Sequence, residues 1–514
     1  MQELEKILLF TKRSKKILIT IIYLVLSLIV LAACFPKQPV EIIPITSLQV
    51  GEHEVYLPTI LNGSGETTPY PSENPLIHVP YKNVSDYVDD SIIEMAIFWL
   101  GEVTVNENYA DVRIGYNDEN LFVYTAIFDR LLWYDTSPAV SQFLDWDSVS
   151  LFILPDNKEQ LVTNNTYRFI AQLAAQDKNR SQYQAAFRWS GSSWLEQQNL
   201  DFQSVSGWRG EGGLNTPNDN RGWTLKFIIP FSSLGYQTKP SEDTIWKMGI
   251  IVHDRDYFEP RNIPDQQWPQ NFLETNPSQW GNLSFGALPS MQMSDTGTAE
   301  DTSLLLREGI NGVIVPDASV GGNSTCAEGI NFWTEWGAKT YPDPPENMTM
   351  VVQNQRDIAD WPCYSKYFVQ FPIDSIPDNA IINNATLTLH QFGNSGTQGD
   401  AVFQPYRSII QVFLTDSNWE ENSITWNNAP QVLENVASKQ VDPLVEFPNW
   451  PGVRHDWDLT YAVQRAKLAG QDTISLALYS ADGAYHSGKY FSTSEVPDWN
   501  IAARPALSIL FATP

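Results

Sequence analysis

From about Ile77 to Leu288, apolar and polar residues alternate in short runs separated by clusters of turn-forming residues. ADVRIGY sets Val112, Ile114 and Tyr116 on one face. After the turn NDEN, LFVYTAIFD does the same with Leu121, Val123, Thr125 and Ile127, which together predict a β-hairpin. SVSLFIL, YRFIAQLAA, YQAAFRW, GWTLKFIIPF, KMGIIVHD and NLSFG continue the pattern. A period of two sends side chains to opposite faces of a sheet, and many short strands with few helical stretches predict a β-sandwich. The pattern returns beyond Leu304 in KYFVQFPI, ATLTLHQF, IIQVFLT, TISLALYS and ALSILFA. LTYAVQRAKLAG breaks it: Val463, Ala466 and Lys467 follow Leu459 at helical spacing, and Gly470 can stop a helix. The polar stretch SMQMSDTGTAEDTS lies between the two regions. The chain therefore reads as all-β, with two jelly-roll-like β-sandwich domains in tandem. The first spans residues 76–289 and the second 304–514, with a linker at 290–303.

Upstream of the sandwiches the pattern changes. An apolar run from Ile17 to Ala33 follows a basic lead carrying Lys6, Lys12, Arg13, Lys15 and Lys16, the layout of a secretory signal. At about 17 residues it lies at the lower edge for a membrane span. Its ending, Leu31-Ala32-Ala33-Cys34, resembles the lipobox of bacterial lipoproteins. That resemblance implies removal of residues 1–33 and lipidation of Cys34; the alternative is an uncleaved signal anchor. Either way, everything from Phe35 onward is expected outside the cytoplasm, tied to the cell membrane or surface. Residues 34–75, with stretches such as NGSGETTPYPSENP, read as a tether. About 40 residues reach roughly 100 Å if extended. Within it HEVYLPTI alternates like a short strand able to dock.

Charge narrows the partners. The net charge is -28, and the first 34 residues contribute +3, so the exported part carries -31. Such a polyanion repels nucleic acid, and it disfavours acidic glycans unless a local basic patch or a cation intervenes. Of the three Cys, assigning Cys34 to lipid leaves Cys326 and Cys363 in an oxidising compartment. A disulfide between them is expected, two buried thiols being the alternative. Catalytic motifs are missing: no H-E-x-x-H, no G-x-S-x-G and no phosphate loop. The 60 acidic residues leave a glycosidase-type carboxylate pair formally open. The reading is a protein that is not an enzyme.

Two resemblances sharpen this. YNDENLFVYTAIFD, Trp146-Asp147 before SVSLFIL, GWTLKFIIPFSSLG, MGIIVHDRD and the closing PSQWGNLSFG resemble, in that order, the family 9 carbohydrate-binding module. In the second region, Trp419 to Pro430 reads WEENSITWNNAP. With KYFVQFPIDSIPDNAIINNATLTLH before it, and DWDLTYAV, YFSTSE and RPALSI after, it resembles the DNRLRE domain. That family overlaps the family 96 carbohydrate-binding modules and accompanies polysaccharide-active enzymes. An insert from Asn323 to Asp357 departs from its pattern. The resemblances imply a non-catalytic polysaccharide-binding protein, with polysaccharide-degrading enzymes or other surface proteins as possible neighbours.

Sugar sites pair exposed aromatic rings with planar polar side chains. Among 18 Trp, the first sandwich offers Trp133 and Tyr134 just after a strand. Family 9 modules hold a sugar between two Trp rings, so Trp208 is chosen as the facing ring and Arg255 as a polar contact. The alternative for each ring is a cap on the core. In the second sandwich, Trp333 and Trp336 of the insert are the binding candidates, whereas Trp280, Trp419 and Trp426 read as structural. Asp145, Asp147, Asp254 and Asp256 are candidate ligands for a structural Ca²⁺, with solvated loop carboxylates as the alternative. Two other classes compete: an envelope adhesion or scaffold protein with protein partners, and a haem-binding electron carrier using His253 as an axial ligand.

Overall fold

A computed structural model describes residues 74–257, 264–291, 301–322, 330–340, 346–356, 358, 363–400 and 402–513. The signal, Cys34, HEVYLPTI and Cys326 lie outside the described residues. Thirteen strands make the first sandwich. They are β1 (Leu76–Val79), β2 (Ala96–Gly101), β3 (Tyr109–Tyr116), β4 (Asn120–Phe128), β5 (Ser148–Leu154), β6 (Tyr167–Gln172) and β7 (Gln184–Trp189). Then come β8 (Trp194–Glu196), β9 (Gln203–Gly210), β10 (Asn220–Pro230), β11 (Ile245–His253), β12 (Gln266–Trp268) and β13 (Gly281–Phe285).

The second sandwich opens with β14 (Thr302–Arg307), β15 (Asp317–Gly321), β16 (Thr349–Val352), β17 (Ser365–Pro372) and β18 (Ile381–Asn394). It continues with β19 (Ser408–Thr415), β20 (Val432–Val441), β21 (Val453–Asp458), β22 (Thr473–Ser480), β23 (Lys489–Ser492) and β24 (Ala506–Ala512). The expected helix is α1, Thr460–Leu468. Gly470 follows at φ +67°, a conformation that suits a glycine ending a helix.

In the first sandwich, β2-β3-β4-β10-β9 face β1-β13-β11-β5-β6-β7-β8. In the second, β14-β24-β18-β23-β16, with β21 on β18, face β15-β17-β22-β19-β20. One sheet of each sandwich is continuous with one sheet of the other, through β20 and β1. Strand β1 pairs in parallel with β13 along its length and touches β20 at Leu76 and Glu434. Asn435 extends that junction: its amide accepts from His78 N at 2.7 Å and donates to His78 O at 3.0 Å. A single hydrophobic core runs through both sandwiches.

A buried interface completes the join. The face of β3 opposite Val112 and Ile114 carries Asp111 and Arg113, both fully buried. Arg113 Nε donates to Ala481 O at 3.1 Å, and its Nη2 donates to Asn354 Oδ1 and Gln355 O, each at 3.0 Å. Asp111 accepts from Tyr109, Asn354 and Tyr479. Beside them Lys366 is fully buried, its Nζ lying 3.7 Å from the centre of Trp426, 4.2 Å from Trp99 and 4.6 Å from Tyr109. Asn427, in the NNAP turn, clamps Val103: its Oδ1 accepts from Val103 N at 2.9 Å and its Nδ2 donates to Val103 O at 3.1 Å. Asp111, Arg113 and Asn427 are tolerated in this buried interface because hydrogen bonds engage them, whereas Lys366 lies against aromatic faces.

Candidate functional site

Apolar side chains left in water need a reason, and among the described residues most of the exposed rings lie in the second sandwich. Strand β18 shifts register between Gln391 and Gly393, a bulge at Phe392. The loop after β20 brings Phe447 and Trp450 to the same place, and the turn before β24 brings Trp499. Phe447 is 63% exposed, Trp450 45% and Trp499 69%. Among the described tryptophans, only Trp450 and Trp499 are exposed. Trp450 is the hub: its ring centre lies 5.3 Å from Phe447, 5.8 Å from Phe392 and 5.8 Å from Trp499.

The frame beneath these rings is tied down. Leu444 N donates to Asn394 Oδ1 at 2.7 Å, holding the start of the loop. Gly452, at φ +109°, passes so close to β18 that a Cβ there would lie 2.7 Å from Gln391 O, so only glycine fits the return. Arg504 Nη2 donates to Val496 O at 2.6 Å and Asp498 Oδ1 at 2.9 Å, and its Nη1 donates to Glu308 O at 3.1 Å. Asn449 and Asp498, each next to a tryptophan, are exposed. A cluster of solvated rings on a fixed frame, rimmed by an amide and a carboxylate, has the chemistry of a sugar-binding face.

The candidates read from the sequence lie elsewhere. Trp133 and Tyr134 are only 6% and 7% exposed, which corrects their expected role as open rings. Their loop turns inward because side chains capture its backbone: Trp133 N donates to Asp147 Oδ2 at 2.6 Å and Tyr134 N to Asn215 Oδ1 at 2.8 Å. Trp208 is half-buried against the core and edges a groove of about 280 Å³ that Tyr124, Arg209, Lys226 and Arg356 also line. It does not face Trp133 as an open partner. Arg255 is buried too, its guanidinium 3.9 Å above Trp146 and donating to Asp145 O and Tyr257 O, so it pins a loop rather than reaching into solvent. Trp333 and Trp336 are likewise buried, and Trp336 packs 4.7 Å from Trp426. The described part of the insert presents neither ring to solvent.

Carboxylates do gather in the first sandwich. Oxygens of Asp129, Asp254 and Asp256 lie within 4.8 Å of one another. Fully buried Asp147 couples to them, its own oxygens taken by Trp133 N and Arg255 N. Burial and mutual repulsion hold Asp129, Asp147 and Asp254 well above the usual carboxylate range. Both oxygens of Asp254 are buried without a well-formed hydrogen bond. Such crowded hard oxygens suit Ca²⁺, and the orphaned Asp254 is where an ion would be felt most. Asp145, expected in this set, is exposed and contributes only its carbonyl to Arg255. Asp129, which closes the apolar strand β4, was not among the candidates. A second acidic group, Asp317, Glu421 and Glu495, lies in the other sandwich, with Glu421 pushed up to about 8 by burial and by Glu495.

The remaining candidates resolve simply. His253 Nδ1 lies 3.0 Å from Asp265 and Nε2 2.9 Å from Ser150 Oγ, so both nitrogens that an axial bond would need are engaged. Cys363 is half-buried at the start of the segment leading into β17. Among the described residues no helix is long and apolar enough to cross a membrane.

Solved structures similar to this chain include three of low identity. A family 9 carbohydrate-binding module from Caldicellulosiruptor kristjanssonii in complex with cellotriose has a TM-score of 0.30 at 14% identity, over 43% of this chain and 97% of that one. A putative carbohydrate-binding protein from Bacteroides uniformis has a TM-score of 0.30 at 13% identity, over 41% and 99%. The same Caldicellulosiruptor module in complex with glucose has a TM-score of 0.29 at 15% identity, over 42% and 98%. No curated protein matches the chain. Residues 345–500, which carry Phe392, Phe447, Trp450 and Trp499, match the model of carbohydrate-binding module family 96, and that is the family this segment is similar to.

Proposed function

We propose that this protein is a non-catalytic polysaccharide-binding protein of the cell surface, which holds glycans by stacking them on aromatic rings. One observation carries the reading: Phe447, Trp450 and Trp499 stand together in solvent, on the segment that matches a carbohydrate-binding family. Exposed rings cost the folded chain apolar hydration, and a ligand that covers them recovers it. Affinity electrophoresis against neutral and acidic polysaccharides tests this. Retardation by one polymer class, lost in the Trp450→Ala/Trp499→Ala double variant, is the expected result. No retardation on any polymer by a well-folded protein would favour the scaffold or adhesion reading.

Three further features belong to the proposal. A lipid on Cys34 ties the protein to a membrane, and Cys34→Ala should release it into the soluble fraction. A Cys326–Cys363 disulfide closes the insert, and peptide mapping without reductant should recover the linked pair. A structural Ca²⁺ is held by Asp129, Asp254 and Asp256, whose crowded oxygens fit a hard cation, with the Asp147 carboxylate beside them.

A further inference from the structure

We infer that the open mouth of the first sandwich, at the end away from Trp133, is a second glycan site that takes a short stretch of hydroxyl-bearing sugar units. The inference rests on the carbohydrate reading above and adds a site to it, apart from the Phe447–Trp450–Trp499 cluster. β10 runs antiparallel to β4 and ends with Pro230 opposite Asn120, where β4 begins, whereas Trp133 follows the end of β4. At the Pro230 end, β6 starts with Tyr167 and β7 carries Arg188 one residue before its close. The opposite sheet supplies the turn Phe231–Leu234 after β10 and the segment before β9, with Asn199 and Asp201. These residues line a groove of about 540 Å³ between the sheets. Small-molecule sites occupy roughly 300–1,000 Å³ and favour such mouths.

The walls are tied in place while their polar tips are left over. Ser233 Oγ donates to Asp201 O at 2.7 Å, which joins the segment before β9 to the turn after β10. Tyr236 Oη donates to Pro155 O at 3.0 Å, and Tyr167 Oη to Asn165 Oδ1 at 3.0 Å. The Arg188 guanidinium lies 5.4 Å from the centre of the Tyr167 ring, and its Nε donates to Asn164 O. Among the described residues, no protein group engages the two Nη atoms of Arg188, the Asn165 Nδ2, the Asn199 amide, the Asp201 carboxylate or the Ser232 hydroxyl. Asn199, Asp201 and Ser232 are exposed.

That inventory selects a ligand class. Arg188 and Asp201 line one groove, yet no ion pair forms between them, so their charges are not spent on each other. A bare anion would answer only the guanidinium and a bare cation only the carboxylate. A sugar hydroxyl both donates and accepts, so neighbouring hydroxyls can take the forked donors of Arg188 and give to Asp201. The amides of Asn165 and Asn199 add both functions, and the half-buried Tyr236 ring offers a surface for the C–H face. With no tryptophan and one side open to water, the groove holds a sugar loosely. It therefore adds to polymer binding at the ring cluster and does not replace it.

The test uses the full chain and its Trp450→Ala/Trp499→Ala variant, in which the ring cluster is gone. Saturation-transfer NMR reads both against cello-, manno-, xylo- and galacturono-oligosaccharides, with glycylglycine as a zwitterion of similar polarity. The expected result is that the ring-cluster variant still binds at least one oligosaccharide series. Adding Asp201→Asn or Arg188→Gln should then weaken that binding at least about tenfold, the loss of one charge-assisted hydrogen bond. Asp201 is exposed, so its variant decides the matter should Arg188→Gln fail a parallel unfolding check. Oligosaccharide binding that the parent shows and the ring-cluster variant loses would overturn the inference and spare the carbohydrate reading. Residual binding that neither groove substitution changes, or binding of glycylglycine alone, would overturn it too. A parent that binds no oligosaccharide and no polymer would remove the carbohydrate reading, and the second site with it.

Discussion

Arg113 of the first sandwich and Asn354 of the second, 241 residues apart in sequence, meet at 3.0 Å inside the protein. Neither side chain reaches solvent. The contact works with the shared β1 strand: the sheet joins the sandwiches along one side, and the Arg113–Asp111–Asn354 network joins them across another. A linker alone would let each sandwich sample many orientations. Here the second sandwich is the other half of the first one's packing.

Arg113→Ala should therefore act on the whole body. The substitution takes the guanidinium donors away from Ala481 O, Asn354 Oδ1 and Gln355 O in a dry interface, and it empties the volume of the side chain. The expected cost is about 3–5 kcal/mol, from unsatisfied groups and cavity together. Urea unfolding of the parent should show one transition, and the variant one transition shifted to lower urea. Two separate transitions, with only one displaced, would mean that the sandwiches are independent.

Lys366 makes a different prediction, because its amine has rings for neighbours and no hydrogen-bond partner. Burial pushes its pKa well below the usual lysine value. A lysine depressed in the folded state gives stability that is present above its unfolded value, near 10.4, and is lost as pH falls through the folded value. Lys366→Met keeps the shape and removes that dependence. The variant should match the parent at neutral pH to within about 1–2 kcal/mol and gain on it as the pH is lowered. A loss above about 3 kcal/mol at pH 7 would instead mean that the rings hold a charged ammonium.

The strands were readable because one face of each repeats apolar residues, as Val112, Ile114 and Tyr116 do. Their partners on the other face were ambiguous. Asp111 and Arg113 have the polarity of a solvent face, yet a second sandwich covers them, and a period of two cannot say what lies opposite. The rings were harder still. Trp133 and Trp333 occupy loops, as Trp450 and Trp499 do, but backbone captured by Asp147 draws Trp133 inward. The usable signal was in the neighbours: FPNWPG surrounds Trp450 with prolines and a glycine, which keep it out of any strand and away from the core. Asp129 escaped notice because a carboxylate ending an apolar strand reads as the first residue of a turn.

The Asp129, Asp147, Asp254 and Asp256 cluster predicts a response to calcium. Chelated protein should carry an uncompensated repulsion among buried carboxylates, which Ca²⁺ removes. At a hundredfold excess over its dissociation constant, an ion bound only to the folded state adds about 2.7 kcal/mol. A rise of several degrees in melting temperature on adding Ca²⁺ is expected. Asp254→Asn should raise the melting temperature of chelated protein and abolish most of the calcium response. A melting temperature indifferent to both chelator and Ca²⁺ would mean that the carboxylates relieve their strain by keeping protons.

His455 should set part of the acid stability. It sits on β21 with Nε2 3.0 Å from Gln391 Oε1, half-buried. Burial, and after it the charge of Lys439, lowers its pKa to about 4. The unfolded chain, with an ordinary histidine near 6.5, then binds the proton more readily between those two values. Stability contributed by the neutral ring is full above about pH 6.5 and is lost as pH falls through about 4. His455→Gln keeps a donor for Gln391 and cannot take a proton. Allowing for solvent screening at a partly exposed ring, it should remove on the order of 1–2 kcal/mol of the fall in stability between pH 7 and pH 4. Unfolding curves of parent and variant at several pH values measure this directly, and parallel pH profiles would show that the acid sensitivity arises elsewhere.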